Sequence, residues 1–274
     1  MLAYEDLDQF TAPARHLYRA VAPLGDWLGA LMDEYIELRT FAIPEIQSLD
    51  LDGIGVVEVD EIKRRLSSAR VPASRASIFS VQRSDLGELI CEVFLRQEYG
   101  TRFGSRSIRD RELTNQPGRG IDTIGVETTG TSGVLTLLLA EAKVSWDLDS
   151  PSPVVDKADQ CLREQHLKHV ANLDAVAEKV MGAALRATDQ QTADDLITAA
   201  LYLQFHAVHR VRIVACSVVL RPRALYARGE YGSFGSSPDD YSPADVRFIF
   251  VCFEDLHAAV SAWGKSLDAA RITP

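Results

Sequence analysis

The 274-residue chain lacks the features of several protein classes. Its four cysteines form no Cys-x-x-Cys pair, so we expect buried free thiols rather than disulfides or zinc ligands. No apolar run approaches the ~18 residues of a membrane span, and no basic flank and apolar core mark an export signal. A Gly-x4-Gly-Lys-Ser/Thr segment is absent as well. We therefore predict a cytoplasmic protein with no membrane segment and no nucleotide site on this chain.

The chain also lacks an excess of positive charge, since its formal net charge is −10. The imbalance is concentrated near the start, where residues 1–62 hold thirteen acidic side chains and three arginines. Such a surface repels DNA, and it suits either the docking of a partner protein or an autoinhibitory segment that covers another surface of the chain. We therefore predict an acidic N-terminal region at residues 1–80 and a second domain at residues 81–274.

Two apolar runs, at residues 121–127 and 134–144, have the Ile, Val, Leu and Thr content of strands. The short glycine-bearing segment between them predicts an antiparallel hairpin. A symmetric hairpin places Asp122 opposite Leu139 and makes Glu141 its diagonal neighbour. The inference depends on register, because a one-residue slip sends Asp122 to the other face.

Acidic and basic side chains follow one another at the end of the second run. Glu141 and Lys143 share a face because strand side chains alternate. Burying charge at the end of an apolar strand is expensive, and a metal ion would explain it. Mg²⁺ (or Mn²⁺) takes one or two carboxylates, which Asp122 and Glu141 would supply. If the metal ion binds a phosphodiester for hydrolysis, Lys143 would orient the attacking water or neutralise charge that develops on the phosphate.

A third carboxylate is expected from an upstream helix. The segment from Ser84 to Gly100 has an N-cap residue, an apolar stripe at helical spacing and a terminal glycine. Glu88 and Glu92 lie one turn apart at the border of that stripe. We favour Glu88, which is nearer the start of the helix, with Glu92 as the substitute.

Arginine-rich segments flank this candidate site. Residues 96–120 carry six arginines, and residues 204–228 carry five with no acidic residue. Such segments bind phosphates largely without reading sequence. We predict that Arg109, Arg111 and Arg119 bind DNA.

The helix with Leu-Gly-Glu, then Gly-x-Asp and Glu-x-Lys, resembles the PD-(D/E)XK nuclease superfamily. More narrowly, it is similar to HamA, the nuclease subunit of the Hachiman anti-phage defence system. The similarity covers roughly residues 80–255, with Ile121 in place of the proline that gives the superfamily its name. It implies catalytic roles for Asp122, Glu141 and Lys143, and for Glu88. It also implies control by a partner helicase, HamB.

Other segments are interpreted more coarsely. Residues 1–40 have apolar side chains at helical spacing, which predicts helix. Long helices are also predicted at residues 155–186 and 192–209. Residues 212–220 and 246–253 read as strands, followed by a helix. The pairs His166/His169 and His206/His209 have one-turn spacing without a nearby third ligand, which favours ordinary helix residues over a metal site.

The fold class predicted is α/β: a restriction-endonuclease-like (PD-(D/E)XK) core whose central mixed sheet is flanked by helices, with an acidic N-terminal α/β extension. The function predicted is that of a Mg²⁺-dependent DNase effector of a bacterial anti-phage defence system. The alternative is a non-catalytic DNA-binding or assembly subunit that keeps the fold as a scaffold. No residue excludes RNA as the substrate.

Overall fold

A computed structural model describes residues 2–12, 16–40, 47–53, 55–62, 65, 79–110, 121–128 and 134–270. Its strands are β1 (Ala3–Ala12), β2 (His16–Leu24), β3 (Leu49–Leu51), β4 (Gly55–Val57), β5 (Arg102–Arg106), β6 (Thr123–Thr128), β7 (Leu135–Val144), β8 (Arg212–Pro222) and β9 (Asp245–Phe253). Its α-helices are α1 (Trp27–Thr40), α2 (Phe79–Tyr99), α3 (Ser107–Asp110), α4 (Pro153–Asp156), α5 (Leu162–Ala171), α6 (Leu173–Ala184), α7 (Gln190–Gln204), α8 (Gly232–Ser236) and α9 (Leu256–Ala270).

Seven strands form one mixed sheet in the order β1-β2-β9-β8-β7-β6-β5. The three central strands β7, β8 and β9 run parallel, and β2 is parallel to β9. The hairpin strands β5, β6 and β7 pair antiparallel at one side, and β1 pairs antiparallel with β2 at the other. The predicted mixed sheet flanked by helices is therefore confirmed.

Helices cover both faces of this sheet. The long helix α2 packs with α1 and α9 on one face, around the even-numbered side chains of β7 such as Leu138 and Ala140. The other face carries α6 and α7 over the odd-numbered side chains Leu137 and Leu139. Strands buried on both faces read as continuous apolar runs, as β7, β8 and β9 do. All four cysteines are buried free thiols, as predicted.

The start of the chain is mostly strand, and the helical prediction for residues 1–40 is correct only for α1. Val21 of β2 and Leu31 and Tyr35 of α1 belong to the same buried cluster as α2. The functional role predicted for residues 1–80 stays a prediction, but residues 2–40 contribute two strands and a helix to the central sheet and its core. Removing them would expose β9, the strand paired with β2.

Residues 155–186 contain three helices rather than one. The chain leaves helical geometry after Asp156, and Asn172 separates α5 from α6 by capping the second, its side chain accepting from the Ala175 amide. The long helix at residues 192–209 is likewise shorter, because α7 ends at Gln204. Strands β8 and β9 and the helix after them match their predictions. Within the described ranges, no helix combines the length and apolarity that a membrane crossing requires.

Edge strand β5 approaches the α6–α7 pair closely at Gly104. A Cβ atom built there would lie 2.2 Å from Leu196 Cδ1 and 2.8 Å from the Ala183 carbonyl oxygen. Gly182, in α6, has nothing within 4 Å of the same built atom.

We predict opposite effects for alanine at these two glycines. Gly104→Ala should lower the free energy of unfolding by about 1–3 kcal/mol, because the methyl group overpacks a rigid contact. Gly182→Ala should raise it by roughly 0.5–1 kcal/mol through helix propensity. Urea denaturation of both variants beside wild type measures the difference. Equal effects would contradict the packing described here.

Candidate active site

The pairing of β6 with β7 places the predicted acidic residues beside one another. Thr123 pairs with Ala140 and Ile124 with Leu139, so the predicted pairing of Asp122 with Leu139 is wrong by two residues. The next pair in the same register is Asp122 and Glu141. A shift of two residues keeps every side chain on the same face of the strand. Asp122 and Glu141 therefore share a face in the observed register, as they do in the predicted one.

Asp122 is fixed at the entrance to β6 by two backbone contacts. Its Oδ2 accepts a hydrogen bond from the Ala142 amide at 2.9 Å, and its carbonyl oxygen accepts one from the Ser107 amide at 2.8 Å. The first contact ties the side chain of Asp122 to the strand that carries Glu141. The half-buried carboxylate is thereby held at the sheet end rather than left free in solvent.

Glu141 is an ionisable group in an apolar interior. The residue is 1% exposed; no donor group among the described residues reaches its carboxyl oxygens, and their hydrogen-bonding contact is with the Asp122 carboxyl. Burial raises the pKa of the Glu141 carboxyl well above its usual value, the negative charge of Asp122 raises it further, and the positive charge of Lys143 lowers it in part. A buried carboxylate without donors is costly, so this site favours a proton or a cation.

Lys143 lies on the same face of β7, half-buried and two residues further along. Its charge acts on two buried groups, lowering the pKa of Glu141 and that of His166. Lys143 therefore lies near the Glu141 carboxyl, and its predicted role in the site stays a prediction.

A glycine lets α2 approach this part of β7. A Cβ atom built at Gly87 would lie 2.9 Å from Val144 Cγ2 and 3.8 Å from Ala142 Cβ, so the helix packs on the even-numbered face of β7, opposite to the face that carries Glu141 and Lys143. Glu88 is the next residue of the helix and is 2% exposed. The helix begins at Phe79 rather than after Ser84, so Ser84 is not its N-cap.

The two candidate third carboxylates have different partners. Glu88 accepts hydrogen bonds from the Ser84 hydroxyl at 2.9 Å and from the Ser107 hydroxyl, and its charge raises the pKa of Glu141. Glu92 instead accepts from Arg106 Nε at 2.6 Å and from the Thr123 hydroxyl at 3.2 Å. These contacts favour Glu88 as the residue nearer the site, because Glu92 is committed to an internal ion pair.

A hydroxyl and an imidazole beside Glu141 were missed in the sequence. Ser217 is the register partner of Glu141 on β8, and its Oγ lies 3.0 Å from Nε2 of His166. Ser217 is the one polar residue in the apolar run of residues 213–220, which was the available signal. His166 was assigned an ordinary helix position, and its contact with a strand 51 residues away leaves no trace in local spacing.

The described arginines near the site are engaged within the protein. Arg109 donates from Nε to Asp110 at 2.7 Å and from Nη2 to the Gly104 carbonyl at 2.7 Å. These contacts give Arg109 a structural role and do not support its predicted role in binding DNA. Arg111 and Arg119 lie outside the described residues, so their predicted contact with DNA stays a prediction.

The residues at this site suit a divalent cation that takes only a few of its ligands from the protein. Within the described ranges, no group of three or more His, Cys, Asp or Glu side chains is close enough to enclose a metal ion. Two carboxylates, Asp122 and Glu141, do lie side by side, and the oxygens of Glu141 have no other described partner. Mg²⁺ is commonly held by one or two carboxylates, with water and phosphate oxygens completing the shell. The donor set suits that ion better than a closed structural site.

We predict that neutralising Glu141 stabilises the metal-free protein at alkaline pH. A carboxyl whose folded pKa is raised keeps its proton in the folded state above about pH 4.3, so the free energy of unfolding falls as pH rises through that window. Glu141→Gln removes this loss, and its stability relative to wild type should increase with pH by up to about 1.4 kcal/mol per pH unit.

Urea denaturation in EDTA between pH 4.5 and pH 8.5 measures this dependence. Glu92→Gln is the comparison at a buried carboxyl that has partners: it weakens the pair with Arg106 and should cost roughly 1.5–3 kcal/mol. Because burial also raises the pKa of Glu92, its pH dependence should have the same sign, and the loss of the ion pair distinguishes the two variants. A Glu141→Gln variant less stable than wild type at pH 8 would show that the carboxylate is well compensated in the folded state.

No curated protein matches the chain. A family model described as HamA matches residues 13–219, which is more than half of the chain. The match begins well before the start at about residue 80 expected from the motifs, and it ends within β8. It includes Glu88, Asp122, Glu141 and Lys143. The chain therefore belongs to the HamA family.

Proposed function

We propose that this protein is a metal-dependent DNA nuclease of the PD-(D/E)XK type, acting as the effector of a Hachiman anti-phage defence system. The observation that carries the proposal is the buried, donor-free Glu141 carboxyl beside Asp122, with Lys143 on the same strand face. A buried carboxyl without a donor is costly to the fold, which favours a role in binding or chemistry. Two acidic groups and one lysine match the needs of phosphodiester hydrolysis.

Asp122 and Glu141 would hold Mg²⁺ or Mn²⁺, and Glu88 would support them from α2. When bound, the ion supplies a positive charge that lowers the pKa of a water ligand and neutralises charge on the phosphate. The Ala142 amide fixes the side chain of Asp122, so that carboxylate needs little reorganisation on binding. Glu141 must give up its proton first, because its pKa is raised in the metal-free protein.

Lys143 would act on the reacting groups. Its ammonium donates hydrogen bonds and can orient the attacking water or stabilise charge that develops on the phosphoryl oxygens. The water oxygen forms a bond to phosphorus, the bond from phosphorus to one ester oxygen breaks, and that oxygen leaves with a proton. The packing of Gly87 against Val144 keeps α2 against the strand that positions this lysine.

Control by a partner helicase, HamB, is what the resemblance to Hachiman systems implies, and it is part of the proposal. The acidic edge strand β1 offers one surface for such a partner. Its Glu5 and Asp8 already pair with Arg223 and Arg228 of the segment that follows β8. These pairs reduce the positive charge that segment could offer to DNA.

A non-catalytic scaffold is the second candidate. It is favoured by the net charge of −10 and by the engagement of described arginines with carboxylates, as for Arg102 with Asp195 and Arg212 with Asp245. A scaffold needs no ionisable residues at the end of β7, and the Lys143 substitution below separates the two candidates.

We predict that Lys143→Met strongly slows DNA cutting while leaving fold and DNA binding unchanged. Removing one such electrostatic group should reduce the cleavage rate by about 100-fold or more. The assay is degradation of plasmid and linear DNA in Mg²⁺, with EDTA as the metal-free reaction, by the chain alone and with its helicase partner. Binding is measured separately by fluorescence anisotropy in EDTA.

Lys168→Met is the matched control, because Lys168 is an exposed lysine of α5 paired only locally with Glu164. It should cut at the wild-type rate. Equal cutting by Lys143→Met would contradict the assignment of the site. Absence of metal-dependent cutting by the wild-type chain, both alone and with its partner, would favour the scaffold.

A further inference from the structure

The polar neighbours of Glu141 on β8 and α5 have no role in the site as described so far. Glu141 and Ser217 are direct partners in the parallel pairing of β7 with β8, so their side chains leave the same face of adjacent strands. The backbones of such strands lie roughly 4.8 Å apart. Ser217 is 0% exposed, and its surroundings on this face are otherwise largely apolar.

The hydroxyl of Ser217 contacts the imidazole of His166, a residue of α5. Nε2 of His166 lies 3.0 Å from the serine Oγ, and the imidazole is fully buried with its ring 5.8 Å from that of Phe234. Burial, together with the charges of His169 and Lys143, lowers the pKa of His166 to about 3. The ring is therefore neutral at physiological pH, with one nitrogen as donor and the other as acceptor.

The hydrogen bonding available to this pair favours one tautomer. If Nε2 accepted the serine proton, Ser217 would have no proton left to donate, and the buried Nδ1–H would depend on the contact with the Cys216 backbone that raises the pKa of His166 in part. If Nε2–H donates to Oγ, only a lone pair on Nδ1 stays unpaired. The serine hydroxyl is then free to donate beside a carboxylate that has no donor of its own.

We propose that Ser217, held by His166 at 3.0 Å and paired in register with Glu141, is a positioning residue that orients the Glu141 carboxylate for a divalent cation. One Glu141 oxygen would accept from the serine hydroxyl while the other faces the ion. Supporting hydrogen bonds to a ligating carboxylate fix its orientation, and their loss commonly weakens metal binding 10- to 100-fold. This inference rests on the proposed metal-dependent function.

The test is Mn²⁺ binding to the full chain, measured by isothermal titration calorimetry, for wild type, Ser217→Ala, His166→Leu and His166→Gln. Ser217→Ala and His166→Leu should weaken Mn²⁺ binding about tenfold or more. His166→Gln should restore most of it, because the glutamine amide carries a donor at the position of Nε2. In DNA cutting, the loss should appear as a higher Mn²⁺ requirement, with the rate at saturating Mn²⁺ changed much less.

Two controls separate positioning from general loss of packing. Thr136→Val removes a buried hydroxyl from the opposite face of β7, and His169→Leu removes a buried histidine one turn along α5. Both should bind Mn²⁺ like wild type.

Wild-type Mn²⁺ affinity in folded Ser217→Ala and His166→Leu would overturn this inference and leave the metal site intact. If Ser217→Ala does not fold, the contrast between His166→Leu and His166→Gln decides. A folded wild-type chain that binds no Mn²⁺ would overturn the metal site itself, and this inference with it.

Discussion

The alignment of β6 on β7 is the constraint on which the candidate site depends. Pairing Thr123 with Ala140 brings Asp122 level with Glu141, and the hydrogen bond from the Ala142 amide to the Asp122 carboxylate locks that arrangement. The parallel pairing of β7 with β8 then places Ser217 on the other side of Glu141. Glu141 of β7, Ser217 of β8 and Asp122, the residue before β6, thus form a single polar row across the sheet.

This row is expensive for the fold. A carboxyl with no donor, next to a second carboxylate, lies at the edge of two hydrophobic layers. Glu92 is equally buried, but its carboxylate accepts hydrogen bonds from a guanidinium and a hydroxyl. Burial raises the pKa of both carboxyls, but hydrogen bonds from an arginine and a threonine lower that of Glu92 in part, and Glu141 has no such donors among the described residues. Uncompensated groups of this kind are expected where a site serves binding or chemistry rather than stability.

Local patterns in the sequence were sufficient for the central strands and for the acidic and basic residues at their ends. Strands β7, β8 and β9 are continuous apolar runs, and the stripe of α2 has clear helical spacing. The register of the hairpin was two residues off, because composition does not determine how a glycine-bearing connection divides between turn and strand. The face of Asp122 was still correct, since the error was an even number of residues.

What could not be predicted depends on contacts between distant residues. Residues 3–24 became strands because β2 pairs with β9 more than two hundred residues later, which overrides a weak helical spacing. The arginines counted as a DNA-binding surface find carboxylates far along the chain, as Arg106 does with Glu34. The contact of His166 with Ser217 is of the same kind. Local spacing carries no information about any of these partners.

The most direct test of the central claim is a crystal of the chain soaked in MnCl₂, with data collected at an energy where manganese scatters anomalously. The account predicts one anomalous peak within coordination distance of both the Asp122 and Glu141 carboxylates, and no peak there in Glu141→Gln crystals soaked in the same way. An intact hairpin with no peak at these carboxylates, or a peak bound only by other residues, would contradict it.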